Sequence, residues 1–432
     1  MPTPKVLIVG AGIAGPALAF WLARIGCDTT VVERDAALRD TGQQVDLRGQ
    51  GIVLMRRMGI EAAVRAVLCD EPGTQIVDRS GRPRAYFPAN RSGKGSQSAT
   101  SEYEFMRGDL VRILYDATRG LDGVTYRFGL HVECLEQRED SPGVHVVLSD
   151  QTSETYDLVV GADGVGSPTR KLMLGPLFPD PRHDLGAHAA YFTIPARQDD
   201  PRPWTACHLP GRRLVMTRKD RPETLRVSLV VHGDCAELDA ADRSGSLQDR
   251  KRAWAQRFEP FRDYPPMPRF LDGLLHAPEA DDLYTQHMSQ IRLPEGCWSR
   301  GSVVLLGDAA YCPTPMGGGL GTTAALVGAY VLAGEVAGRW CDAEREGARV
   351  DFGDAAREYE RLMRPFIARA QNVPELGWLM LPETEWGIWI VQTVAWVLSV
   401  VRIERLFGWF SPEESEQLTF PEYPALKGGD ER

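Results

Sequence analysis

The stretch from Lys5 to Glu33 constrains this chain more than any other. Lys5 to Val9 reads as a buried parallel strand that runs into Gly10-Ala-Gly12-Ile-Ala14-Gly15, the G-x-G-x-x-G fingerprint of a dinucleotide-binding turn. The first glycine permits the tight turn, the second lets backbone approach a pyrophosphate, and the third lets the next helix pack against the strand. Phosphates then sit at a helix N-terminus, where unpaired N–H groups and the helix dipole favour negative charge. Pro16 falls in the first turn, where its missing N–H costs least, and Leu18, Leu22 and Ile25 continue an apolar face to a stop at Gly26. A second strand, Thr29 to Val32, delivers Glu33 and Arg34 about twenty residues after the glycines, where a carboxylate binds adenosine ribose hydroxyls. The same carboxylate repels a 2′-phosphate, so this unit suits FAD or NAD rather than NADP, and by itself leaves those two open.

At 432 residues the chain has length for two or three domains, read here as one composite globule. A net charge of −10 and a pI near 5.4 argue against a nucleic-acid surface, since two negative fields would meet. The N-terminus lacks the pattern of a secretory signal, so a cytoplasmic protein is expected. None of the eight cysteines is spaced Cys-x-x-Cys, so neither a disulfide frame nor a metal site is expected. Cys312 reads as a small packing residue.

Two distant segments decide between FAD and NAD. Tyr156 to Val160 reads as a buried strand ending in Gly161-Ala-Asp163-Gly164-Val-Gly-Ser167-Pro-Thr-Arg170. Ser302 to Leu306 ends in Gly307-Asp308-Ala-Ala-Tyr311-Cys-Pro-Thr-Pro315-Met-Gly-Gly318-Gly319-Leu320-Gly321. An aspartate closing a buried strand can accept hydrogen bonds from ribityl hydroxyls, and the glycines let backbone approach a flavin ring. As a bare residue, Asp308 also reads as the cap of a helix over Thr322 to Ala337. With these motifs in order, the chain resembles the aromatic-hydroxylase class (class A) of flavin monooxygenases, which includes para-hydroxybenzoate hydroxylase and the tetracycline-inactivating monooxygenases. The resemblance covers most of the chain. It implies FAD as cofactor, with Asp163-Gly164 serving both FAD and a visiting nicotinamide, and with Gly307-Asp308 holding the ribityl chain.

The resemblance extends to Met106-Arg107-Gly-Asp109-Leu110, whose arginine is implied to reach the FAD, and to Gly42-Gln-Gln44-Val-Asp46-Leu-Arg48-Gly49, the loop implied to run beside the flavin. Gln44 and Arg48 are therefore candidate substrate-side residues. Two departures stand out: Tyr311 replaces a common histidine, and the Pro-x-x-Gly-x-Gly-x-Asn run has a displaced glycine and no asparagine.

The fold expected is α/β: a glutathione-reductase-like Rossmann FAD-binding domain (1–72, 101–179 and 293–350), an inserted, mainly antiparallel β-sheet substrate domain (73–100 and 180–292), and a C-terminal helical region (351–432). The sheet should include His188 to Ile194, Arg213 to Thr217 and Leu225 to His232, joined by a hairpin from Gly73 to Phe87 that turns at Ser80-Gly81. Gly245 to Phe258 reads as a surface helix. Tyr191, Arg213 and Met216 are candidate substrate contacts, subject to strand register. The uncharged run Trp386 to Val401 is too short to cross a bilayer and reads as a buried helix packed across both domains, with membrane or partner contact the alternative.

The resemblance implies hydride transfer from NADPH or NADH to FAD, capture of O2 as a C4a-hydroperoxide, and transfer of one oxygen atom to an aromatic or polyketide-like small molecule. No second complete glycine fingerprint appears, which fits a reductant that visits transiently. A flavin-dependent dehydrogenase or reductase without oxygen insertion, and a FAD-binding protein without turnover, are the alternatives. No nucleic-acid partner or transmembrane segment is expected, and the oligomeric expectation is a monomer or weak dimer.

Overall fold

The computed structural model describes residues 3–39, 44–69, 71–89, 102–138, 141–313, 320–346, 350–372, 380–401 and 420–427. Pro315, Gly318 and Gly319 lie outside these residues.

Five mutually parallel strands, Val303–Leu305, Leu158–Gly161, Lys5–Val9, Asp28–Glu33 and Val124–Phe128, form the central sheet in that spatial order, with Ser299–Arg300 antiparallel at one edge. Val6, Leu7, Ile8, Val159, Val160 and Val304 are fully buried, as strands covered on both faces must be. The Ala14–Arg24 helix packs on this sheet and against the long Leu320–Glu346 helix. That long helix is apolar enough to cross a membrane by length and composition, yet most of it is buried inside the protein core. It runs beyond the Thr322 to Ala337 span expected.

The strand expected over Tyr156 to Val160 divides at Asp157. Tyr156 closes Ser153–Tyr156 in a separate three-stranded antiparallel sheet with Ser141–Leu148 and Val132–Arg138. Asp157 pairs with Lys5 through both backbone and side chain, at 2.9 and 2.8 Å, and the buried strand starts only at Leu158.

The second large sheet runs Tyr284–Ile291, Arg182–Pro195, Thr224–His232, Arg213–Arg221, Trp204–Leu209, Gly73–Val77 and Pro83–Pro88. All neighbours are antiparallel except Trp204–Leu209 with Gly73–Val77. One face carries Phe192, Ile194, Val215, Val227 and Leu229 under the helices Ala236–Ser244, Leu247–Phe258 and Met267–His276. The helix read as superficial thus buries Trp254 and Phe258, and only its outer side is exposed. The opposite face presents Ala187, Ala189, Ala206, Leu214, Val230 and Met288, with Tyr191 and Met216 packed beside them.

The C-terminal helices differ from each other. Phe352–Gln371 buries Tyr359, Met363 and Phe366 in the main core. Glu385–Val401 does not match the buried cross-domain helix expected. It lies on the edge of the second sheet and buries only Ile388, Gln392 and Ala395, while Trp386, Trp389 and Trp396 are 71%, 55% and 54% exposed. Apolar character alone could not separate these outcomes, because the buried stripe is narrow and the rest of the helix is equally apolar.

Candidate functional site

The cleft follows from parallel strands that all end on the same side. Val9, Glu33, Gly161 and Leu305 bring their following turns together at the carboxyl edge of the sheet, where ligands bind in open α/β folds. Gly10 has φ +113°, and a Cβ there would stand 2.5 Å from the Ala162 carbonyl oxygen, so the first glycine loop and the Asp163 turn touch backbone to backbone. A Cβ on Gly15 would meet the Gly10 oxygen at 2.0 Å, which fixes the close helix–strand approach. Gly307, at φ +64°, faces the Ala14 methyl at 3.1 Å and brings the third turn onto the same helix start.

Above these contacts the space is open. A Cβ on Gly12 would meet only the Arg107 guanidinium, at 3.5 Å, and one on Gly164 would meet nothing within 4 Å. The Ala14–Arg24 helix has no side-chain cap, so its first N–H groups face this space. The Glu33 carboxylate accepts from the Ala11 N–H at 2.9 Å and the Asp35 N–H at 3.1 Å. That fixes its direction and leaves lone pairs for ribose hydroxyls. Arg34 is exposed at the strand end and makes no hydrogen bond or ion pair among the described residues.

Asp163 accepts from the Thr169 N–H at 2.9 Å and from the Ser167 hydroxyl, so it shapes its own turn. Arg170, which closes the Asp163 motif, is buried and donates to the carbonyl oxygens of Ala309 at 2.7 Å and Val165 at 2.6 Å. It locks the Asp163 and Asp308 turns together.

Asp308 begins a short helix, Asp308–Tyr311. Its side chain is accessible to water, with protein crowded closely around it. Enclosure raises its carboxyl above the ordinary range, against the pull of the Arg107 guanidinium and a Cys312 hydrogen bond. The wall opposite is aromatic. Tyr284, whose hydroxyl feels both Arg107 and Asp308, stacks on Tyr191 with ring centroids 6.2 Å apart. Burial raises both phenols, so both are neutral hydrogen-bonding groups near neutral pH. Tyr191 was legible in the sequence and Tyr284 was not, because the strand from Tyr284 carries no clean alternation.

Gln44–Leu47 pairs antiparallel with Tyr103–Met106, placing Gln44 opposite Met106 and next to Arg107. Both polar atoms of the Gln44 amide are buried without a hydrogen-bond partner among the described residues. Such an orphan costs about 1–3 kcal/mol when no partner is supplied. Arg48 is held by Asp46 at 2.7 Å, and its backbone N–H and carbonyl both meet the Thr323 hydroxyl, at 3.2 and 3.3 Å. Leu320 and Gly321 open the long helix, with Gly321 beside Pro313.

Met216 lies on the sheet face that looks towards this cleft, as does Arg218 two residues on. Arg218 makes a bidentate pair with Glu71, 2.7 Å at each oxygen, and reaches Glu104 at 3.0 Å. Burial and the neighbouring acids push the Glu104 carboxyl up to about 8. Arg213 is a correction: alternation carries it to the far face, where its guanidinium lies 5.2 Å from the Phe261 ring centre and donates to the Pro210 and Gly211 oxygens at 3.0 and 3.2 Å.

A parallel sheet with a glycine-rich crossing loop, a loop-anchored carboxylate at the end of the second strand and a strand-end aspartate beside the same helix start defines a Rossmann-type flavoprotein. The FAD binding domain family matches residues 3–212. Flavin-dependent monooxygenase eupH of a Phoma species is 50% identical over 431 residues, covering 99% of both chains. Monooxygenase CTB7 of Cercospora beticola is 35% identical, covering 97% of each. The crystal structure of tetracycline destructase Tet(51) superposes with a TM-score of 0.71 at 27% identity, covering 98% of this chain and 100% of that one. The chain belongs to the FAD-dependent monooxygenases.

Proposed function

We propose that the protein uses NADPH or NADH and O2 to hydroxylate or epoxidise an aromatic or polyketide-like small molecule. The observation that carries this reading is the Tyr191–Tyr284 stack facing the Arg107–Asp308 floor. A planar substrate would fit between this aromatic wall and a cofactor held by those residues, because offset ring stacking stabilises such a contact by about 0.5–1.5 kcal/mol beyond its buried area. The fused-ring antibiotic named for the Tet(51) neighbour is a shape compatible with such a slot.

In this reading the bound FAD supplies hydride acceptance and oxygen transfer, and the chain binds, orients and excludes water. Gly10, Gly12, Ala14 and Gly15 offer backbone to the pyrophosphate at the uncapped helix start. Glu33 takes the adenosine ribose, with Arg34 beside it at the rim. Asp308 takes the ribityl hydroxyls, Arg107 lies across the glycine loop against the phosphates, and Asp163-Gly164 borders the same cleft. Gly307 and Gly321 let backbone come close, and the Gln44 amide finds its partners on the flavin or the substrate. Arg48 is braced rather than free and shapes the loop, while Met216 lines the apolar side.

The test is NAD(P)H oxidation by the FAD-loaded protein with a panel of phenols and fused-ring polyketides, with and without O2. Substrate-stimulated consumption that needs O2 and yields an oxygenated product supports the proposal. Turnover that continues anaerobically with an artificial acceptor and yields no oxygenated product overturns it.

A further inference from the structure

On the sheet face turned away from the cofactor cleft, two histidines and two aspartates converge. His188 and His287 are directly opposite on neighbouring strands. His188 Nε2 lies 2.9 Å from Asp239 Oδ1, and His287 Nδ1 lies 3.4 Å from the same oxygen. One ligand atom from each of the three residues falls within 4.8 Å of the others. Neighbouring ligands on a tetrahedral ion with bonds of about 2.0 Å stand roughly 3.3 Å apart, so the two edges through Asp239, 2.9 and 3.4 Å, are already close to the size of a coordination shell. We propose that His188, His287 and Asp239 form a binding site for a divalent transition-metal ion of the zinc type.

Two further features favour an ion over a plain hydrogen-bond cluster. The second nitrogen of His287, Nε2, lies 2.7 Å from Asp184 Oδ1, the carboxylate–histidine relation that orients imidazoles on zinc and strengthens them as ligands. Two carboxylates thus surround two rings, an arrangement that attracts positive charge. The burial gradient also fits. The His188 side chain is 4% exposed, Asp239 33% and His287 39%, giving a buried anchor, two reachable ligands and a solvent-facing fourth position for water.

Binding needs a lone pair from each ring: on His287 the proton sits on Nε2 towards Asp184 and leaves Nδ1 for the ion, and on His188 it sits on the buried Nδ1, which has no protein partner among the described residues, and leaves Nε2 for the ion. It also requires a ring movement. The two imidazoles stack at 4.3 Å with planes 22° apart, so an ion in both ring planes needs His287 to tilt, with the exposed Asp184 side chain following its Nε2. The consequence is structural. The ion ties the edge strand Tyr284–Ile291 to the Ala236–Ser244 helix, a junction already made by Thr285 donating to Asp242 at 2.6 Å. That strand also carries Tyr284 into the cofactor cleft, so the ion steadies one wall of the substrate slot from behind.

The test uses untagged, FAD-loaded protein, dialysed against chelator and titrated calorimetrically with Zn2+, with elemental analysis after gel filtration. One Zn2+ per chain and a raised melting temperature are expected. Binding should be lost in His287→Ala, and in Asp184→Asn it should weaken by about 10–100-fold, the usual cost of removing such a supporting partner. Both substitutions lie at exposed positions, so folding and flavin content should hold. Absence of stoichiometric binding, or binding undiminished in His287→Ala, overturns the proposal.

Discussion

Asp308 is shaped by two surroundings at once: water reaches it, and protein is crowded closely around it. Asp308→Ala should yield a folded protein emptied of flavin, read as the flavin-to-protein absorbance ratio after purification; a variant that stays yellow would contradict its role. Glu33→Ala should weaken FAD by roughly 1.5–3 kcal/mol, the range for a hydrogen bond to a charged group, and unchanged affinity in a flavin titration would remove it from the site. Glu104 makes a prediction in pH. Its folded pKa is raised to about 8 from an ordinary 4.5, so the folded state holds a proton that the unfolded chain has released. Its contribution is therefore most favourable below the unfolded value and is lost as pH rises towards 8. Stability should fall across that window by at most about 1.4 kcal/mol per pH unit from this group, and Glu104→Gln should flatten the fall in urea denaturation at pH 6 and pH 9.

Among the elements, the short Asp308–Tyr311 helix depends on what lies behind it. Tyr311, where the family often has histidine, stands 4.6 Å from the Trp298 ring and receives the Tyr359 hydroxyl hydrogen bond at 3.0 Å. Its own hydroxyl sits where a Cβ on Gly328 would be 2.1 Å away. The long helix therefore needs glycine there. Gly328→Ala should cost about 1–3 kcal/mol by overpacking and lower FAD occupancy, and the cost should shrink when Tyr311→Phe removes the clashing oxygen. Equal costs in both backgrounds, measured by denaturant melts, would reject this coupling. The sequence showed the histidine replacement but not its partners, since Gly328 and Tyr359 lie on other elements. Strand parity explains another limit: Arg213 and Met216 are three residues apart on one strand and so face opposite ways, which sequence could not orient without the register of the neighbouring strands.

For the whole molecule, what was legible was local chemistry with a fixed order: glycine loop, Glu33, Asp163 turn, Asp308 turn. What was not legible depends on long-range packing, including the Arg170 lock between two turns, Tyr284 on the edge strand and the exposed face of the Glu385–Val401 helix. That helix packs through so few residues that replacing Trp386, Trp389 and Trp396 with Gln should change stability by less than about 1 kcal/mol, as for surface positions generally, while raising solubility; a large drop in melting temperature would show the indoles to be buried in solution. The Arg218 clamp on Glu71 and Glu104 ties the second large sheet to the short Gln44–Leu47/Tyr103–Met106 pair that leads into Arg107, so the aromatic wall is fastened to the segment that carries the arginine of the cofactor floor. The central claim is that this enclosed cleft uses flavin to activate oxygen. The most direct measurement is rapid mixing of the anaerobically reduced, FAD-loaded protein with O2, followed by absorbance in the presence of candidate aromatic substrates. The account predicts reoxidation in two phases, with a transient species distinct from reduced and oxidised flavin and an oxygenated product. Single-phase return to oxidised flavin, with hydrogen peroxide formed in full yield under every substrate, would contradict it.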